Sequence, residues 1–73
     1  MKQVYKMEDL ECAHCAAKME KAILKLSGVT ACSISFLSQK MKLEHEDGAD
    51  LSALQKDIAA IVRKIEPDCK VIF

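Results

Sequence analysis

Apolar and polar positions recur along this chain with two periods, and the switches between them mark out six segments. From about Lys2 to Glu8 the period is two. Tyr5 and Met7 fall on one face and Lys6 and Glu8 on the other, which predicts a half-buried strand. From about Cys15 to Ser27 the period is helical. Ala16, Met19, Ala22, Ile23 and Leu26 form a stripe, and Lys18, Glu20, Lys21 and Lys25 take the wet side. Gly28 stands just past the end, where a left-handed cap is expected. Alternation returns over Val29–Leu37, with Cys32, Ile34 and Phe36 against Ser33 and Ser35. After a Ser38-Gln39 turn it resumes over Lys40–Glu46, with Met41, Leu43 and His45 against Lys40, Lys42 and Glu44. So short a connection predicts a hairpin. Asp47-Gly48-Ala49-Asp50 is a break, with Asp50 as an N-cap. Leu51, Leu54, Ile58, Ile61 and Ile65 then step by three and four through a second helix, Leu51–Ile65. Pro67 stops it, and Cys69–Phe73 is a last strand.

The order is β-α-β-β-α-β. Two helices with one apolar stripe each, and strands with one apolar face each, are satisfied by an α+β sandwich: a four-stranded antiparallel sheet with both helices on one face. Nothing resembles a linker or a repeat, so residues 1–73 read as a single domain.

Composition narrows the function classes. A chain of this size buries only about 60% of the surface it exposes when unfolded, but 51% hydrophobic residues suffice for a core. Eleven basic residues balance eleven acidic ones, and aromatics are 4%, which argues against nucleic acid as a partner. No apolar run approaches the roughly 18 residues of a membrane span, and Met-Lys-Gln-Val-Tyr lacks the apolar core of a signal peptide. The expectation is a cytoplasmic, reducing setting without direct membrane contact. There, paired cysteines are more often metal-binding or catalytic than structural disulfides.

The chemistry lies in Leu10-Glu11-Cys12-Ala13-His14-Cys15, at the join between the first strand and the first helix. A Cys-x-x-Cys at a helix N-terminus lets two thiols converge where partial positive charge favours thiolate. Thiolates bind soft metals and also attack disulfides. A closed structural zinc site would need four ligands, and there is neither a second Cys-x-x-Cys nor a His-x₃₋₅-His. A thioredoxin-like thiol–disulfide oxidoreductase also places this motif at a helix N-terminus, but on a longer, more strand-rich domain. An open site, with two thiolates and room for one or two further ligands, fits a metal that is bound and handed on. Cu(I) is content with two soft ligands, whereas Zn(II) and Cd(II) take more. Glu11 can supply a hard third donor, which suits a divalent ion better than Cu(I). The alternative is a solvated loop carboxylate.

The remaining candidates read as structural. Leu10 is expected to tuck under the motif. The His14 side chain, between two converging cysteines, is expected to point away. His45 reads as a strand-boundary residue, Cys32 as a small core residue, and Met19 and Met41 as core. Cys69 reads as core as well, although it follows a turn that this topology places near the first loop, where a third thiolate would be in reach.

The run Leu10-Glu11-Cys12-Ala13-His14-Cys15-Ala16-Ala17-Lys18-Met19-Glu20, with the Gly28-Val29 turn, resembles the heavy-metal-associated domain, whose usual pattern is Gly-Met-x-Cys-x-x-Cys. The resemblance covers essentially the whole chain and implies the ferredoxin-like βαββαβ fold. It further implies a role as a free metallochaperone or as a metal-binding domain of a P-type metal ATPase, without catalysis by the domain itself. Here Asp9 replaces the usual Gly and Leu10 the usual Met, a swap of similar volume. Glu11 stands where copper members usually carry Thr or another small residue, and where members serving zinc, cadmium and lead ATPases often carry Asp. Ile65-Glu66-Pro67-Asp68 likewise lacks the aromatic or Lys frequent in copper members. The resemblance therefore implies Zn2+, Cd2+ or Pb2+ at Cys12, Cys15 and Glu11, with Cu+ as the alternative. The implied partners are the membrane domains of such an ATPase, another metal-binding domain, or a second copy bridged by metal.

Overall fold

All six segments form in the computed structural model, which describes residues 1–73. They are β1 (Lys2–Glu8), α1 (Ala13–Leu24), β2 (Val29–Ser35), β3 (Lys40–His45), α2 (Leu51–Ile65) and β4 (Lys70–Ile72). The strands form one antiparallel sheet in the order β2-β3-β1-β4. Both helices pack on the same face of it, touching each other, with α1 over β2 and α2 over β4. This is the ferredoxin-like βαββαβ sandwich.

The buried face of the sheet is the one the alternation assigns. Tyr5 and Met7 of β1 meet Met41 and Leu43 of β3, and Ile34 of β2 sits opposite Met41. From above, Ala16, Met19 and Ile23 of α1 and Ile58 and Val62 of α2 close the core. Helix α2 has the predicted limits because its signals agree: the Ala53 N–H donates to Asp50 Oδ1 at 3.2 Å, and the stripe ends just before Pro67.

The departures have local causes. Helix α1 begins at Ala13 instead of Cys15, because Cys12 caps it with sulfur. It also ends at Leu24, because the next bonds tighten to three-residue spacing, Lys25 N–H to Ala22 O and Leu26 N–H to Ile23 O. β2 ends at Ser35, so Phe36 joins the Phe36–Gln39 turn and stays partly exposed instead of continuing the buried row. His45 is more than a boundary residue. It lies in the row of Met41 and Leu43, is buried, and donates from Nδ1 to Glu46 O at 2.9 Å while Nε2 has no partner. Gly28 adopts φ +91°, which favours glycine, and a Cβ there would press on Ala49 Cβ at 3.1 Å.

Three connections converge at one end of the sandwich: β1–α1 with the cysteine motif, the β2–β3 turn, and the α2–β4 turn. Hydrogen bonds tie the first to each of the others, from Leu10 N–H to Gln39 Oε1 at 3.0 Å and from Glu11 N–H to Glu66 Oε1 at 3.1 Å.

Candidate metal centre

Asp9 leaves β1 with φ +59°, the left-handed region. Aspartate enters it more readily than most residues, which explains how it can replace a glycine at this bend. Leu10 then turns inward and is buried at 2% exposure, under the motif as its apolar character predicts. Its burial fixes the loop from below and leaves the next residues at the surface.

Cys12 follows in extended conformation, and its sulfur accepts the Cys15 N–H at 3.2 Å. A thiol thereby does what Ser, Thr or Asp ordinarily does at a helix N-cap. This cap brings the two thiols together, both only partly buried. The Cys12 thiol is lowered below its usual 9.0, first by a hydrogen bond from the Cys15 side chain, then by the backbone N–H groups of Cys15 and His14. Cys15 is raised, chiefly because its proton is the one shared in that bond. The pair therefore loses its first proton readily and its second reluctantly. A soft cation can take the place of that second proton.

Around this pair the other candidates divide. The Glu11 and His14 side chains stand in solvent. Cys69 lies beneath the site, close enough to feel the charges of Glu66, Asp9 and Cys15. It is buried, and desolvation pushes its thiol up to about 11, so it is held protonated. Cys32 is remote on β2, and burial pushes it up to about 12. Cys, His, Asp and Glu side chains nowhere gather in threes at ligand geometry. The site as built thus offers two protein donors, and any third must swing in.

Two residues hold the site that the sequence pattern did not single out for it. Glu66 reaches from the α2–β4 turn to accept the Glu11 N–H, its other oxygen is buried without a partner, and its charge acts on Cys12, Cys15 and Cys69. Gln39 reaches from the β2–β3 turn to the Leu10 peptide. The one available signal for Glu66 was its place just before Pro67, in the turn the topology returns to the motif. For Gln39 the pattern carried none.

A family model described as the heavy-metal-associated domain matches residues 4–70. The chain belongs to the heavy-metal-associated domain family. Such domains bind metal and are not catalytic alone. Among curated relatives, the "Cadmium, zinc and cobalt-transporting ATPase" of Bacillus subtilis (strain 168) is 25% identical over 71 residues, 97% of this chain and 10% of that protein. The "Probable cadmium-transporting ATPase" of Staphylococcus aureus (strain MRSA252) is 34% identical over 67 residues, 92% of this chain and 9% of that one. The chain thus spans about a tenth of the length of these relatives. Among solved structures, the "CopZ metallochaperone" superposes with a TM-score of 0.75 at 16% identity, covering 99% of this chain and 100% of that one. The N-terminal domain of a potential copper-translocating P-type ATPase from Bacillus subtilis, Cu(I)-loaded, superposes with a TM-score of 0.77 at 23% identity, covering 99% of this chain and 84% of that one. At those identities the likeness establishes the shared fold. No helix of this heavy-metal-associated domain is long and apolar enough to cross a membrane.

Proposed function

We propose that this domain takes up a soft divalent ion, Zn2+, Cd2+ or Pb2+, through Cys12 and Cys15, with Glu11 or Glu66 closing on it as a third donor. It then passes the ion on by ligand exchange. The observation that carries this reading is the thiol pair itself: a partly exposed sulfur cap, one member easily ionised, with carboxylates on both neighbouring segments. An exposed two-sulfur site lets an incoming thiolate or carboxylate enter before an outgoing one leaves, so no free ion need form. Zinc and cadmium in the names of the curated relatives support the divalent reading, as does the negative charge of Glu11 and Glu66. We place the domain in a metal-transporting P-type ATPase, at its cytoplasmic side, delivering or sensing the transported ion.

The second reading is a Cu(I) metallochaperone. It is favoured by the absence of a third donor at ligand geometry, since Cu(I) is satisfied by two thiolates. Zn(II) titrations of the reduced domain, Glu11→Ala and Glu66→Ala separate the two. The divalent reading expects clear loss of zinc affinity in at least one variant, with Cu(I) affinity unaffected. If both variants bind zinc as the parent does, the carboxylates are bystanders and the copper reading takes precedence.

A further inference from the structure

The loop that carries the cysteines is held by side chains more than by its own backbone. Between β1 and α1, its backbone carbonyl at Cys12 accepts the first helical bond, from Ala16 N–H. The Leu10 N–H donates instead to Gln39 Oε1 at 3.0 Å, and Gln39 Nε2 donates back to Leu10 O at 2.7 Å. One amide thus grips both polar groups of a single peptide residue, as a neighbouring strand would. The second hydrogen of Nε2 goes to Phe36 O at 2.8 Å, so the amide is fully engaged and only one orientation of it satisfies all three bonds. Gln39 is itself pinned, since its carbonyl accepts Met7 N–H at 2.7 Å and its backbone holds φ +56°.

We propose that Gln39 is a positioning residue for metal uptake: by clamping Leu10 it fixes where Cys12 and Cys15 stand before the ion arrives. This rests on the metal-binding reading above. A loop already in its bound shape loses less conformational freedom when the ion binds, and hydrogen bonds behind the ligands commonly decide about 10- to 100-fold in metal affinity. The clamp acts two residues before Cys12, on the residue whose side chain anchors the loop in the core. Freeing the Leu10 peptide would leave that apolar anchor but let the backbone above it rotate. Asparagine, shorter by one methylene, could not span both contacts. Glutamate has the length but no hydrogen to donate, and would face the two carbonyls with negative charge.

The test compares the parent domain with Gln39→Glu and Gln39→Met. Zn(II) affinity is measured by chelator competition far below the melting temperature, and amide hydrogen exchange is followed on the metal-free proteins. The expected result is faster exchange at Leu10 in Gln39→Met, where its acceptor is gone, with β1 and β3 core amides unchanged, and zinc affinity lower by about 10- to 100-fold in both variants. A merely structural residue would shift the melting temperature and the core amides but not zinc affinity under fully folding conditions. Unchanged zinc affinity alongside a released Leu10 amide would overturn the proposal. If the parent domain took up no zinc, the divalent-ion reading would fall. The clamp would still be judged on the metal-free protein, where unchanged Leu10 exchange in Gln39→Met, which has no acceptor for the Leu10 N–H, would overturn it.

Discussion

Four cysteines in one small domain are made chemically unequal by where each sits. Cys12, capping a helix, is the easily ionised one, and Cys15 becomes its hydrogen-bond donor. Cys69 and Cys32 are held neutral by burial, at about 11 and about 12. This order predicts an alkaline instability. Above pH 9.0 the unfolded chain releases the protons of Cys69 and Cys32, while the folded chain keeps them. The unfolded state then binds fewer protons, and stability falls as pH rises toward 11–12. Cys15, also raised, adds to that loss. Cys12, lowered, works the other way: its contribution is full above 9.0 and fades as pH drops through its folded value. Melts of the reduced protein across the alkaline range, beside Cys32→Ala and Cys69→Ala, check this. Both variants should show a shallower decline than the parent, since each lacks one of the two buried thiols. Equal slopes would mean that neither buried thiol drives the loss. The cysteine motif was legible from spacing alone, but this ranking was not. It depends on which sulfur caps the helix and which are covered, and cysteine is not a residue read as an N-cap. The same oversight placed the start of α1 two residues late.

Where an element's local signals agree, its ends are legible in the sequence, whereas side-chain contacts to distant residues are not. Asp50, the apolar stripe and Pro67 all lie within or beside α2 and fix both its ends. Gln39 and Glu66 act across 29 and 55 residues of chain, and nothing near either one announces its partner. Glu20 is a similar case. It reads as a wet-side residue of α1, yet its carboxylate accepts the Ile34 N–H at 2.6 Å. β2 is an edge strand, and that N–H is turned away from β3 toward the helix. Glu20 thereby satisfies a donor that would otherwise be open to another chain, one of the ways an edge is blunted. Replacing it with alanine should cost about 1–2 kcal/mol, the range for a hydrogen bond to a charged group that water can partly replace. Glu20→Gln, which keeps an acceptor, should cost less. Denaturant unfolding gives the stability, and sedimentation at raised concentration tests whether the uncovered edge pairs with itself. Equal stability of Glu20→Ala and parent would make the contact incidental.

At the scale of the molecule, charge and site are arranged asymmetrically. The open face of the sheet carries Lys2, Lys6, Lys40, Lys42 and Lys70 against Glu8 and Glu44. The end where the three connections meet carries Asp9, Glu11, Glu66 and Asp68 on its loops, set against Lys18, whose charge reaches Cys15, and Lys40 and Lys70 at the strand starts. The carboxylate charge that acts on the thiols themselves comes from Glu66, on Cys12, Cys15 and Cys69, and its pull on an approaching cation is stronger at low salt. That end also joins the β1–α1, β2–β3 and α2–β4 connections, so an ion bound to Cys12 and Cys15 rigidifies a junction that the core alone leaves to side-chain hydrogen bonds. Binding must then appear as stability of the whole fold. Free zinc at a hundredfold over its dissociation constant stabilises a folded state by about 2.7 kcal/mol if the unfolded chain does not bind it. For a domain of this size that is a rise in melting temperature of about 10–20 °C. Thermal unfolding of the reduced protein with and without zinc measures it, and Cys12→Ser with Cys15→Ser should abolish the shift. A smaller shift in the parent at the same saturation would mean that unfolded cysteines compete for the ion, including Cys32 and Cys69 once exposed. Repeating the melt in Cys32→Ala with Cys69→Ala would then recover the full rise. If zinc raised the melting temperature of the Cys12, Cys15 double variant as much as that of the parent, the ion would be binding elsewhere, and the thiol pair would lose its place as the metal centre.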